Sequence, residues 1–263
     1  MNKSPIGVFD SGIGGLSVLK EIRALLPHED LIYIADSGFA PYGNKSIAFI
    51  QERCHKLTHF LLEQGAKAVV VACNTATAAA VVSLREGFSL PIIAMEPGVR
   101  PAIAATRCKR IGVLATENTL ASKQFLNLVH RYAADVTIFN QPCPGLVEQI
   151  ESGELDSMAT RRLLERFIQP LLEQGVDTLV LGCTHYPLLR RQIEAMLHGT
   201  VTVIDTGRAV AQQLQRRLGA LALLSDQTRD GQIQFWSSGS TAAAAVLQGL
   251  WHQSIDQVQH LDV

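Results

Sequence analysis

Two stretches, LLEQGAKAVVVACNTATA at 61–78 and LLEQGVDTLVLGCTHYPL at 171–188, decide the fold. Laid over one another they share seven of eighteen positions, and Cys73 falls on Cys183. Identity at that level indicates a duplicated unit rather than coincidence. Each copy passes from an amphipathic stretch through a glycine into an apolar run that ends in cysteine, the pattern of helix, turn and buried strand. A weaker echo sets GVFDS (7–11) against GVLAT (112–116), so the first strand of each half corresponds as well. The halves read as one ancestral unit used twice.

Around the repeat, short apolar runs alternate with longer amphipathic ones. IGVFD (6–10), LIYIA (31–35), KAVVVAC (67–73), PIIAM (91–95), RIGVLA (110–115), DVTIF (135–139), DTLVLGC (177–183) and TVTVID (200–205) read as strands covered on both faces. The segments 15–26, 45–64, 118–132, 157–174 and 186–197 read as helices. Such alternation implies parallel sheets with right-handed crossovers. The expected fold is α/β: two pseudo-symmetric, doubly wound parallel-sheet domains with the active site in the cleft between them. One lobe covers 1–96 and the other 97–206. Beyond 207 a helix, one weak strand (QIQFW, 232–236) and a small-residue helix (TAAAAVLQGLW, 241–251) are expected.

Composition sets the class. The 263 residues are 47% hydrophobic and 18% charged, which supplies cores for two domains and excludes disorder. With 23 Lys+Arg against 24 Asp+Glu, the net charge of -1 gives no global pull toward nucleic acid or a membrane, and neither is an expected partner. The N-terminus lacks the apolar run of a signal peptide, and no stretch approaches the roughly 18 apolar residues of a membrane span, so the expected location is cytoplasmic. The five cysteines are scattered without a C-x-x-C pair, which argues against a disulfide framework and a zinc ribbon. His55 and His59 have the spacing of a helical metal pair, but no glutamate stands between them; they read as a helix face, and no metal is expected.

Each repeated cysteine closes an apolar strand and precedes a helix, where doubly wound sheets present groups to ligands. A helix N-terminus stabilises anions, so these thiols are expected to titrate lower than usual. Cys54, Cys108 and Cys143 read instead as small buried hydrophobes. Asn74-Thr75 follow Cys73 and Thr184-His185 follow Cys183, polar company that suits a site. Two related lobes facing one another would set the thiols on opposite sides of one bound molecule. Inverting a stereocentre removes a proton from one face of a carbon and delivers another to the opposite face, which requires two interchangeable acid/base groups. A thiolate and a thiol meet that requirement, because thiols titrate closer to neutrality than hydroxyls or lysines.

Asp10-Ser11 in FDSGIGG follows the first strand, and Gly12, Gly14 and Gly15 let the backbone approach a ligand while their amides can hold an anion. Ser17 occupies the third glycine position of a nucleotide fingerprint, so a carboxylate-binding turn fits better. Asp36-Ser37 with Pro41-Tyr42-Gly43 makes a rigid polar loop able to close over the same cleft. His185 is placed to orient or protonate, and Asp10 to serve Cys73. Two rival readings from other functional classes are a non-catalytic amino-acid-binding module and a dithiol redox enzyme. The second needs Cα atoms within about 7 Å.

The segments FDSGIGGLSV (9–18), YIADSGFAPYGNKS (33–46), VVACNTATA (70–78), EPGVRPA (96–102), GVLAT (112–116), LVLGCTHYPLL (179–189) and IDTG (204–207) together resemble the glutamate racemases of the cofactor-independent aspartate/glutamate racemase superfamily, over nearly the whole chain. The resemblance implies interconversion of L- and D-glutamate, D-glutamate supply for peptidoglycan, and no metal, pyridoxal phosphate or nicotinamide. It also returns the tail 207–263 to the first lobe and admits a homodimer. By the same resemblance Cys183 deprotonates L-glutamate and Cys73 D-glutamate, with Asp10 and His185 as assistants. Asp10, Ser11, Tyr42, Gly43, Asn74, Thr75, Thr184 and His185 are the implied substrate contacts. The family uses a further acid near the end of CPGLVEQIESGE (143–154); Glu148, Glu151 and Glu154 stand there, and the ESG context selects Glu151.

Overall fold

A computed structural model describes residues 4–132, 135–251 and 255–263. In chain order the elements are β1 (Ile6–Asp10), α1 (Leu16–Leu25), β2 (Leu31–Ala35), α2 (Ile47–Glu63), β3 (Ala68–Val71), α3 (Asn74–Gly87), β4 (Ile92–Ala94), α4 (Val99–Ala105), β5 (Arg110–Ala115), α5 (Glu117–Ala121), α6 (Lys123–Tyr132), β6 (Thr137–Pro142), α7 (Leu146–Glu151), α8 (Met158–Glu173), β7 (Thr178–Leu181), α9 (Arg190–Leu197), β8 (Thr202–Ile204), α10 (Gly207–Ala220), β9 (Ile233–Ser237), α11 (Thr241–Trp251) and β10 (Val258–His260). They form a six-stranded sheet in the order β10-β9-β2-β1-β3-β4 and a four-stranded sheet in the order β6-β5-β7-β8. Every pairing is parallel. Each half lays its first four strands as second, first, third, fourth, so the repeat extends from one motif to a whole sheet.

The shared LLEQG has a physical reason. In the first copy Gly65 (φ 78°) ends α2, the Ala66 N–H donates to Leu61 O and the Gly65 N–H to Leu62 O; in the second, Gly175 (φ 69°) ends α8, Val176 N–H donates to Leu171 O and Gly175 N–H to Leu172 O. These are paired Schellman ends, which need a left-handed residue and therefore favour glycine. The leucine that accepts in each motif also lands on the central strand. A Cβ on Gly7 of β1 would lie 2.7 Å from Leu61 Cδ1, and one on Gly112 of β5 would lie 2.9 Å from Leu171 Cδ1. One helix end thus sets both the chain reversal and the helix-on-sheet contact, twice.

Strands β1, β2, β3 and β7 are buried throughout, as continuous apolarity requires, while the edge strands β6 and β8 are partly exposed. From α10 onward the chain returns to the six-stranded sheet: α10 packs on α1, β9 pairs with β2, and β10 pairs with β9. Three expectations are corrected. The helix expected over 118–132 is split, because Ser122 is extended and its hydroxyl accepts the Phe125 N–H, closing α5 and opening α6. The helix expected from 186 starts as a 3-10 turn over Tyr186–Leu189, with Pro187 in its first positions. Cys108 is exposed rather than core, with its N–H donated to Asp177. Cys54 and Cys143 are buried. His55 and His59 pack around Phe88. Among the described residues no helix is long and apolar enough to cross a membrane.

Candidate active site

Cys73 caps α3: its sulfur accepts the Ala76 N–H at 3.4 Å and lies 3.6 Å from Ser11 Oγ at the end of β1. Asp10 is fully buried beside it and accepts the Ser11 N–H on Oδ1 (2.7 Å) and the Gly15 N–H on Oδ2 (2.5 Å). Burial pushes the Asp10 carboxyl up to about 6; the nearby His185 opposes the rise and Glu151 adds to it. Burial also drives the Cys73 thiol well above its ordinary range, reinforced by the adjacent Asp10. The expected lowering is therefore corrected for Cys73: the Ala76 amide pulls that way, but desolvation of a residue only 4% exposed outweighs it.

Cys183 leaves β7 and precedes the 3-10 turn rather than a helix. Its sulfur lies 3.7 Å from His185 Nδ1, and His185 Nε2 is 2.6 Å from Glu151 Oε1. Glu151, at the end of α7, also accepts the Ile13 N–H on Oε1 (2.7 Å) and the Ser37 hydroxyl on Oε2 (2.9 Å). Burial opposes a charged His185, yet its hydrogen bonds to Cys183 and Glu151, with the charges of Cys183 and Asp10, hold the imidazole well above its ordinary value. The result is a relay from carboxylate to imidazole to sulfur.

The glycines of FDSGIGG are explained by these side chains. A Cβ on Gly12 would sit 1.9 Å from Glu151 Oε1, one on Gly14 2.3 Å from His185 Nδ1, and one on Gly15 2.7 Å from Asp10 Cβ. The turn does bind carboxylates, but they are the protein's own: the Ile13 and Gly15 amides are taken by Glu151 and Asp10. Of the three glycine amides expected to hold an anion, that of Gly15 is thus already committed to Asp10. Thr184 donates its hydroxyl to Asp10 Oδ2 at 3.3 Å, and Ser17 donates to Thr184 O at 2.9 Å.

Across the pseudo-twofold, Thr75 Oγ1 meets Thr116 Oγ1 at 2.8 Å and Thr119 Oγ1 at 3.2 Å. Each cysteine-bearing strand end therefore docks on the first-strand end of the opposite sheet. The Tyr42 hydroxyl donates to buried Asp36 at 2.5 Å, so this side chain is committed within its own sheet. Asn74 Oδ1 is buried without a hydrogen-bond partner beside Cys73.

Residues 6–214 match the model of the Asp/Glu/Hydantoin racemase family. The chain belongs to that family. It is 57% identical over 242 residues to the glutamate racemase of Ectopseudomonas mendocina, covering 91% of this chain and 92% of the relative. Among solved structures, it is similar to a glutamate racemase isoform from Bacillus anthracis (TM-score 0.88, 34% identity, 100% and 98% of the two chains). It is similar also to Escherichia coli glutamate racemase in complex with L-glutamate and the activator UDP-MurNAc-ala (TM-score 0.87, 32% identity, 98% of each chain). Family membership makes the chain an isomerase of the racemase type.

Within this racemase fold, hydrogen bonds link Cys73 to Ser11, Ser11 and Thr184 to Asp10, Cys183 to His185 and His185 to Glu151, Thr75 and Gly43 both meet Thr116, and Glu148 stands outside the His185 contact. Three were missed: Thr116, Asn118 and Thr119, which meet Thr75 and the 42–45 loop. The signal for Thr116 was present, since GVLAT lies over GVFDS and sets Thr116 on Ser11.

Proposed function

We propose that the chain interconverts L- and D-glutamate by a cofactor-independent proton transfer between Cys73 and Cys183. The observation that carries this reading is the pair of separate polar assistants: Asp10 and Ser11 at Cys73, His185 and Glu151 at Cys183. One thiolate takes the Cα proton, a carbanionic intermediate forms, and the facing thiol returns a proton to the opposite face. No electrons are exchanged. His185 can pass a proton to or from Cys183 across 3.7 Å, and Asp10, at about 6, is a carboxylate at neutral pH that can receive the Cys73 proton.

The Cα proton of an amino acid is a weak acid without an electron sink, so donors around the α-carboxylate must carry much of the stabilisation. Thr75, Thr116, Thr184 and the Tyr42–Gly43 backbone supply candidates, and the unpartnered Asn74 Oδ1 suits the substrate ammonium. The similarity to glutamate racemases supports glutamate as substrate; supply of D-glutamate for peptidoglycan in the cytoplasm is part of the same proposal.

The test is Cys73→Ser and Cys183→Ser, assayed for racemisation and for solvent deuterium at Cα. Racemisation should fall by more than about a thousandfold in both. Cys73→Ser should still exchange the Cα proton of L-glutamate, and Cys183→Ser that of D-glutamate. Near-native turnover in either variant would eliminate the two-thiol scheme.

A further inference from the structure

Residues Cys73 and Cys183 are only 4% and 7% exposed, so the seam between the sheets must part to admit a substrate to their thiols. What holds it shut is legible. Ser37 reaches Glu151, but that bond belongs to the relay already described. A second tie lies outside the relay. Asn118, in the first turn of α5, donates its Nδ2 hydrogens to Tyr42 O at 3.1 Å and Lys45 O at 3.0 Å, two carbonyls of the loop carried by the other sheet. Between those contacts Gly43 faces Thr116, where an added Cβ would come within 3.0 Å of Thr116 Cβ. A cavity of about 140 Å³ borders the same seam, lined by Pro41, Gly43 and Asn44 from one side and Thr116 and Glu117 from the other.

We infer that Asn118 is a positioning residue of the racemase. By gripping both ends of the Tyr42–Lys45 segment it fixes the Tyr42–Gly43 backbone against the site and keeps the two thiols enclosed. Only an amide places two donors at this spacing without adding charge. Neither Cys73 nor Cys183 touches Asn118, so its loss should act on substrate binding and access rather than on proton transfer. The assignment of Tyr42–Gly43 to substrate rests on the proposed glutamate racemisation; the enclosure of the thiols does not.

The experiment compares the full-length native chain with Asn118→Ala and Asn118→Asp, the second keeping the shape while replacing the donors with a carboxylate facing two carbonyls. Alkylation by iodoacetamide, without glutamate, is followed site by site by peptide mass spectrometry. Two lost neutral hydrogen bonds should speed labelling of Cys73 and Cys183 roughly tenfold, by the same factor because one opening uncovers both, and more in the Asp variant. Exposed Cys108 should keep its native rate, and buried Cys54 should stay protected. In the racemisation assay KM for glutamate should rise roughly tenfold with kcat within about threefold of native. Labelling and KM both within twofold of native in the two variants would overturn the inference. So would acceleration of Cys54 in step with the site thiols, which would mean general loosening. Because labelling needs no turnover, a native chain inactive on glutamate whose variants still label faster would count against the proposed function alone.

Discussion

Asp10 shows how a single side chain joins stability to chemistry. Its ordinary value of 3.8 is raised to about 6 in the folded chain, chiefly by burial. The folded state therefore binds the proton more tightly than the unfolded chain. The associated stability is complete below about pH 3.8 and is lost as pH rises through about 6, so ionising Asp10 at neutral pH costs roughly 3 kcal/mol. Asp10→Asn removes this dependence while keeping the shape. Between pH 4 and pH 7 the stability difference between native protein and Asp10→Asn should shift by roughly 2.4 kcal/mol in favour of the variant, measured by urea titration at each pH. A difference independent of pH would mean that Asp10 is not desolvated. The same variant should lose racemase activity, since the carboxylate is proposed to relay the Cys73 proton. His185 has the same sign: held above its ordinary value by Cys183 and Glu151 against the pull of burial, it favours the folded state at low pH and ceases to do so as pH rises through its folded value.

At the scale of elements, the turn after β1 is the most constrained piece of backbone in the seam. Gly14→Ala puts a methyl where His185 Nδ1 stands, 2.3 Å away, and His185 cannot yield without leaving Cys183 or Glu151. Activity should fall by about a hundredfold or more, with the fold retained by circular dichroism. Gly249→Ala is the control: at an exposed position of α11, with nothing within 4 Å of an added Cβ, it should stabilise by roughly 0.5–1 kcal/mol and leave turnover unchanged. Equal activity in both variants would refute the steric account. This turn also marks how far sequence reasoning reaches. FDSGIGG identified the place and the carboxylate chemistry, but not that the carboxylates were Glu151 and Asp10, because Glu151 arrives from α7, 138 positions away, and nothing local encodes its approach. The doubled LLEQG and the two cysteines were legible because a Schellman end and a buried strand are local patterns. Ser122 could not be read as a helix break from periodicity, since the apolar spacing continues across it, and β10 is too short to present a pattern.

For the whole molecule, the fold is nearly symmetric and the site is not. Position by position, the repeat sets Asp10 on Ala115, Ser11 on Thr116, Asn74 on Thr184 and Thr75 on His185. Cys73 therefore has a carboxylate on the neighbouring strand end of its own sheet, whereas Cys183 has an imidazole and a carboxylate borrowed from α7. The substrate enantiomers have equal free energy in water, so a racemase works at an equilibrium constant of one whatever its residues are. It follows that any substitution must change kcat/KM by the same factor in the two directions, while kcat and KM separately carry the asymmetry of the two sulfurs. Asp10→Asn acts on the Cys73 side and Glu151→Gln on the Cys183 side. Each should lower kcat/KM equally for L- and D-glutamate, but the ratio of the two kcat values should move in opposite senses, because each variant destabilises a different bound thiolate state. Initial rates from both enantiomers, followed by circular dichroism, check this. Ratios that move in the same sense would mean that the two assistants act on one sulfur, and the division of labour between the sheets would be wrong.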